Sequence, residues 1–148
     1  MKFLRNDFFF EEVENFILQG EHVEILVRGR SMAPYLRDRK DKIVIAPFCP
    51  EELKKGDIVL FSHCGSYLLH RIIRRKKNVF ITQGDSNIEK QEEVLLPDII
   101  GIVRFKIKPN GQIVSVNRFS HRIYWHCRLF SHPIRRYLLY FYKLFVVK

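Results

Sequence analysis

Lys55-Gly56-Asp57-Ile58-Val59-Leu60-Phe61, followed shortly by Tyr67-Leu68-Leu69-His70-Arg71-Ile72-Ile73-Arg74, decides the fold class of this 148-residue chain. Lys-Gly-Asp is turn chemistry, and the bulky apolar run behind it has the length and composition of a strand. In the second segment successive side chains leave a strand on opposite faces. Leu68, His70 and Ile72 therefore share one face, and Leu69, Arg71 and Ile73 share the other. The same signals extend outward in both directions. Residues 78–82 read as a returning strand, Gly84-Asp85 as a turn, and 100–107 as an alternating strand. Pro109-Asn110-Gly111 is hairpin chemistry leading into 112–116. Upstream, 41–46 is a strand ended by Pro47 and Pro50, and 22–28 carries the alternation Val23, Ile25, Val27. Many short strands joined by tight turns predict a mainly β, barrel-like domain.

Ahead of the strands, residues 7–19 read as a helix. Asp7 suits its cap, Glu11 and Glu12 its first turn, and Gly20 its end. Phe9, Val13, Phe16 and Ile17 fall on one stripe, which predicts that they pack on the domain. The organisation expected is a single domain over 1–148: an N-terminal helix in 1–21, a β core in 22–117, and a basic, aromatic, helical tail in 118–148.

Charge separates the tail from the rest. The formal net charge is +10, yet residues 101–148 hold ten Lys and Arg and no acidic residue, so residues 1–100 are neutral overall. Seven of those ten lie in 118–148, so most of the excess belongs to the tail, and no recognised motif organises it for nucleic acid. Segment 119–148 has the composition of an interfacial helix able to make peripheral membrane contact; packing on its own core or on a partner protein is the equal alternative. Three cysteines (Cys49, Cys64, Cys127) without a CxxC pair indicate neither a disulfide framework nor a zinc knuckle. His63-Cys64 and His126-Cys127 lack ligand spacing, so no metal or cofactor is expected. Phe8-Phe9-Phe10 runs straight into Glu11-Glu12, unlike a signal peptide, and no apolar run reaches the roughly 18–20 residues of a membrane span. A cytoplasmic or membrane-peripheral location is the expectation.

One further stretch carries chemistry: Gly29-Arg30-Ser31-Met32-Ala33-Pro34. Gly29 permits a sharp bend, while Pro34 fixes its own φ and bars Ala33 from helical geometry. Ser31 would thus stand at the end of a strand with its hydroxyl presented rather than buried. Taken alone it reads as an ordinary turn serine.

Taken with Lys55–Phe61, Leu68-Leu69-His70-Arg71-Ile72, Thr82-Gln83-Gly84-Asp85-Ser86-Asn87 and Ile99-Ile100-Gly101-Ile102-Val103, in that order, the stretch resembles the nucleophile box of the signal peptidase I family. These are serine endopeptidases related to self-cleaving repressors, and the resemblance covers about residues 22–108. It implies a signal-peptidase-like β barrel in which Ser31 is the nucleophile. His70 stands where bacterial-type members carry lysine and where endoplasmic-reticulum and archaeal types carry histidine, so it is implied as the general base. An imidazole suits that work at neutral pH with little adjustment of its pKa. Asp85 is the expected third member, orienting His70. Histidine-type members carry a second acid a few residues later; here Lys90 or Gln91 takes that place, with Glu89 and Glu92 off register.

The oxyanion is expected at the Ser31 N–H, helped by an N–H near Gly29 or Arg30. Gly29 stands where some relatives carry a serine hydroxyl. Gly29, Arg30, Met32 and Pro34 are the expected substrate-binding positions, and substrate would add as an extended strand. The implied partner is a peptide or protein bearing a leader segment. Two other readings stand beside this one. A self-cleaving regulator would need a DNA-binding domain and a lysine base, neither of which is evident. A non-catalytic module would dock on membrane or partner through its tail.

Overall fold

A computed structural model describes residues 6–87 and 89–116, together with Tyr137, Tyr140 and Leu144. Helix α1 (Asn6–Leu18) precedes eight strands: β1 (Val23–Leu26), β2 (Lys42–Ala46), β3 (Ile58–His63), β4 (Ser66–Lys76), β5 (Val79–Gln83), β6 (Glu92–Leu95), β7 (Ile99–Ile107) and β8 (Ile113–Ser115). All pair antiparallel in the order β1-β2-β7-β3-β4-β5-β6, with β8 on β7. The mainly β expectation is correct; closure into a barrel is not. β1 and β6 end the sheet and do not pair with each other among the described residues.

The alternation read from the sequence sorts side chains onto two faces. Ile58 and Leu60 join Ile43, Ile45, Ile100 and Val103 in one core, which α1 covers with Val13 and Ile17. Val59 and Phe61 point the other way, into a second core with Ile72, Phe80, Val94 and Ile102. Each such side chain, fully buried, contributes about 1.5–3 kcal/mol of transfer free energy. On α1 the expected stripe is narrower than four residues. Phe9 and Phe16 are 49% and 50% exposed, and Phe10 takes the packing role, stacking on Tyr67 of β4 at 4.7 Å between ring centroids.

Turn chemistry fixes how β3 and β4 enter the sheet. Asp57 accepts the Lys54 N–H through Oδ2 (2.8 Å), while Ile72 of β4 accepts the Gly56 N–H (2.8 Å) and donates its own N–H to Asp57 O (2.8 Å). β6 lies in a stretch between the Gly84-Asp85 turn and the 100–107 strand to which the sequence reading assigns no element. The tail expected over 118–148 falls outside the described residues except for Tyr137, Tyr140 and Leu144, which are helical and exposed. Among the described residues no helix is long and apolar enough to cross a membrane.

Candidate functional site

The chain leaves β1 at Val27, bends at Gly29 with φ +88°, and enters a turn that begins at Ser31. The turn is helical in its bonding: Ala33 N–H donates to Arg30 O (3.1 Å) and Leu36 N–H to Met32 O (2.9 Å). Ser31 therefore opens a tight turn, where an extended segment was expected. The Ala33–Pro34 peptide is cis. Met32 and Leu36 are buried in the core beneath α1, so the expected substrate-binding role of Met32 gives way to packing. Arg30 and Pro34 stay exposed.

The amides of this segment divide between occupied and open. Gly29 N–H donates to Asp38 Oδ1 at 2.9 Å, which removes it as the expected oxyanion donor. The N–H groups of Arg30 and Ser31 donate to no described residue.

His70 sits on β4 with its ring almost wholly buried, in edge contact with Phe61 at 5.9 Å between centroids. Its Nδ1 lies 2.8 Å from Glu92 Oε2. Strand β6 brings the glutamate there: Glu92 pairs opposite Thr82 of β5, and β5 in turn pairs with β4. Along β6 burial alternates, with Glu92 and Val94 inward and Glu93 and Leu95 outward. An ionised carboxylate only accepts, so Nδ1 donates to it, and in a neutral imidazole so held Nε2 is the nitrogen left to accept a proton.

Asp85 does not reach His70. Both its oxygens are taken by Arg71, Nε to Oδ1 at 2.9 Å and Nη2 to Oδ2 at 2.8 Å, with both side chains completely buried. The cause is strand geometry. Arg71 follows His70 on β4, so the two side chains leave on opposite faces, and an acid paired with one is turned from the other. Arg71 also donates to Gly56 O at 2.8 Å and stands over the Tyr35 ring at 5.1 Å, so the Asp85 pair ties three loops together. The orienting position expected for Asp85 is occupied by Glu92. The signal for it was present in the sequence: an acid in the inward slot of the pattern Glu92-Glu93-Val94-Leu95, where burial demands a partner.

The three boxes converge at Gly84. A Cβ placed there would stand 2.6 Å from Ser31 O, 3.2 Å from Ser31 Cβ and 3.2 Å from His70 Nε2. Ser31 and the open nitrogen of His70 thus flank one point in space, although they lie 39 residues apart in sequence. Ser86 fastens the arrangement, its N–H donating to Ser31 O (2.9 Å) and its Oγ to Arg30 O (2.7 Å). No hydrogen bond yet joins Ser31 Oγ to His70. Such bonds commonly tighten only when substrate is bound.

Behind the turn lies a second buried ionic group. Asp41, completely buried, is bound by Arg37 through backbone and guanidinium and by Lys106 at 3.2 Å. Burial pushes the Asp41 carboxyl up, but the hydrogen bonds from Arg37 and Lys106 outweigh it and hold the group below its ordinary range. Burial likewise raises the Tyr35 hydroxyl and keeps it neutral. No family model matches the chain, and no curated protein matches it.

Proposed function

We propose that this chain is a serine endopeptidase of signal-peptidase type, with a fold of that family's kind, acting through Ser31, His70 and Glu92. The observation that carries the reading is His70 held at Nδ1 by a buried carboxylate while Nε2 faces the space beside Ser31 at Gly84. A serine hydroxyl needs a base within reach before it attacks a carbonyl. His70 Nε2 takes the Ser31 proton as Oγ bonds to the scissile carbon. Glu92 holds the imidazole's orientation and stabilises the cation that forms. The negative charge on the carbonyl oxygen meets the open N–H groups of Ser31 and Arg30. The C–N bond then breaks, His70 returns its proton to the departing amine, and water repeats the sequence on the acyl-serine.

Substrate enters as an extended segment beside the serine turn. The outer edge of β1 is unpaired among the described residues and leads directly into that turn. The substrate class is a leader or signal-like peptide with small side chains near the cut, following the family resemblance. Incubation of the chain with a peptide library tests this. Cleavage after small residues that disappears in a folded Ser31→Ala variant supports it; equal cleavage by Ser31→Ala contradicts it.

A further inference from the structure

Beyond its own hydrogen bonds, the turn that carries Ser31 is held at its far end by a residue of a distant strand. Lys106 of β7 bonds the carbonyl of Tyr35 and the carboxylate of Asp41, and its ammonium lies 5.1 Å from the centroid of the Tyr35 ring. Arg71 stands at the same 5.1 Å from that ring and carries the Asp85 pair. Asp85 in turn adjoins Ser86, which bonds Ser31 O. Tyr35 is therefore the meeting point of two buried ion pairs, one bracing each side of the serine turn. We propose that Lys106 is a positioning residue for Ser31: its ammonium, seated between the Asp41 carboxylate and the Tyr35 carbonyl, fixes the turn that offers the serine hydroxyl to His70.

Energetics support a positioning role over a purely cohesive one. Lys106 is mostly buried, and desolvation pushes its pKa down despite the opposing pull of Asp41. A buried ion pair of this kind contributes little net stability relative to apolar side chains of similar volume. What apolar side chains cannot do is bond the Tyr35 carbonyl and the Asp41 carboxylate at once. That pair of bonds fixes the main chain at both Tyr35 and Asp41, since Asp41 O also accepts the Val27 N–H and Arg39 N–H closes on Val27 O.

The proposal rests on the endopeptidase reading only for its reactivity readout, and the test separates the two. The full chain is treated with a fluorophosphonate probe, whose phosphorus bonds to serine Oγ as fluoride leaves and the hydroxyl proton passes to the base. In parallel, backbone amide exchange is followed at Leu36 and Arg39. Lys106→Met is expected to slow labelling of Ser31 by about 10²-fold, the scale of a small misplacement of a reacting group, and to speed exchange at both amides. Exchange in β3 and β4 stays unchanged, and Lys106→Arg restores the labelling rate. Labelling of Lys106→Met at the wild-type rate overturns the proposal. If wild-type Ser31 takes no label at all, the endopeptidase reading fails and exchange alone decides: acceleration at Leu36 and Arg39 upholds the brace, and no change overturns it. Should Lys106→Met fail to fold, Asp41→Asn/Lys106→Met, which strands no buried carboxylate, is read by the same criteria.

Discussion

Glu92 Oε2 stands 2.8 Å from Nδ1 of His70, with both side chains almost wholly shielded from water. A buried carboxylate in that position sets the tautomer, aims the ring and leaves Nε2 facing the space beside Ser31. Asp85, the more conspicuous acid in sequence, serves Arg71 instead. The two carboxylates therefore have separable consequences.

Glu92→Gln removes the charge while keeping the shape. The amide can bond Nδ1 through its NH2 group and stabilise the tautomer with the proton on Nε2, the wrong one for a base. Peptide cleavage is expected to fall about 10³- to 10⁴-fold in kcat, the scale seen when a triad acid is neutralised. Substrate binding should be little changed. Steady-state kinetics on any cleaved peptide checks this, and an undiminished kcat would remove Glu92 from the mechanism.

Asp85→Asn acts on the fold. It leaves the completely buried Arg71 guanidinium without its counter-charge, a change that typically costs about 3–5 kcal/mol. Denaturant unfolding should show a loss of that order, larger than for Glu92→Gln. Equal stabilities would mean that the Arg71 pair does not brace the serine turn.

Gly84→Ala inserts a methyl group where no room exists. Its Cβ would fall 2.6 Å from the backbone oxygen of Ser31 and 3.2 Å from His70 Nε2. The obstacle is main chain, so the serine turn itself must shift. Activity is expected to drop by about 10²-fold or more, measured as kcat/KM on a cleaved peptide, with most of the thermal stability retained.

Asp41 makes stability depend on acid in a defined direction. Its folded pKa lies below the ordinary value of about 3.9, because the hydrogen bonds from Arg37 and Lys106 outweigh its burial. The unfolded chain therefore binds this proton more readily than the folded one. The stabilisation is complete above about pH 5 and is lost as pH falls through the folded value. The difference in melting temperature between wild type and Asp41→Asn should be constant from pH 5 to 7 and shrink below pH 4. A difference that grows in acid would reverse the assignment.

Much of this architecture could be read along the chain because strand alternation is local. Ile58–Phe61 announces itself as a short apolar run behind turn chemistry, Ile100–Ile107 by alternation, and Asn110-Gly111 by its turn residues. Strand β6 escaped because two successive glutamates hide an alternation that only Val94 and Leu95 complete. The open sheet escaped for a different reason: closure depends on whether β1 and β6 meet, a relation between distant segments that no local pattern encodes. On α1 Val13 and Ile17 pack as the stripe requires, but Phe10 rather than Phe9 or Phe16 completes it, reaching Tyr67 while the other two stay half exposed. At the site, Ser31 and His70 came from a family resemblance, because nothing local links residues so far apart. Counting from Asp85 along the box missed Glu92, which arrives by the return of β6 across β5 rather than by position in the loop.

The most direct measurement is the rate at which a fluorophosphonate labels the intact chain, with the modified residue located by mass spectrometry. A single adduct on Ser31 is expected, formed at a rate that falls at least about 10²-fold in His70→Gln, the low end of what a positioned base contributes. An adduct on another residue, or labelling of Ser31 at an equal rate without the imidazole, would contradict the pairing of Ser31 with His70.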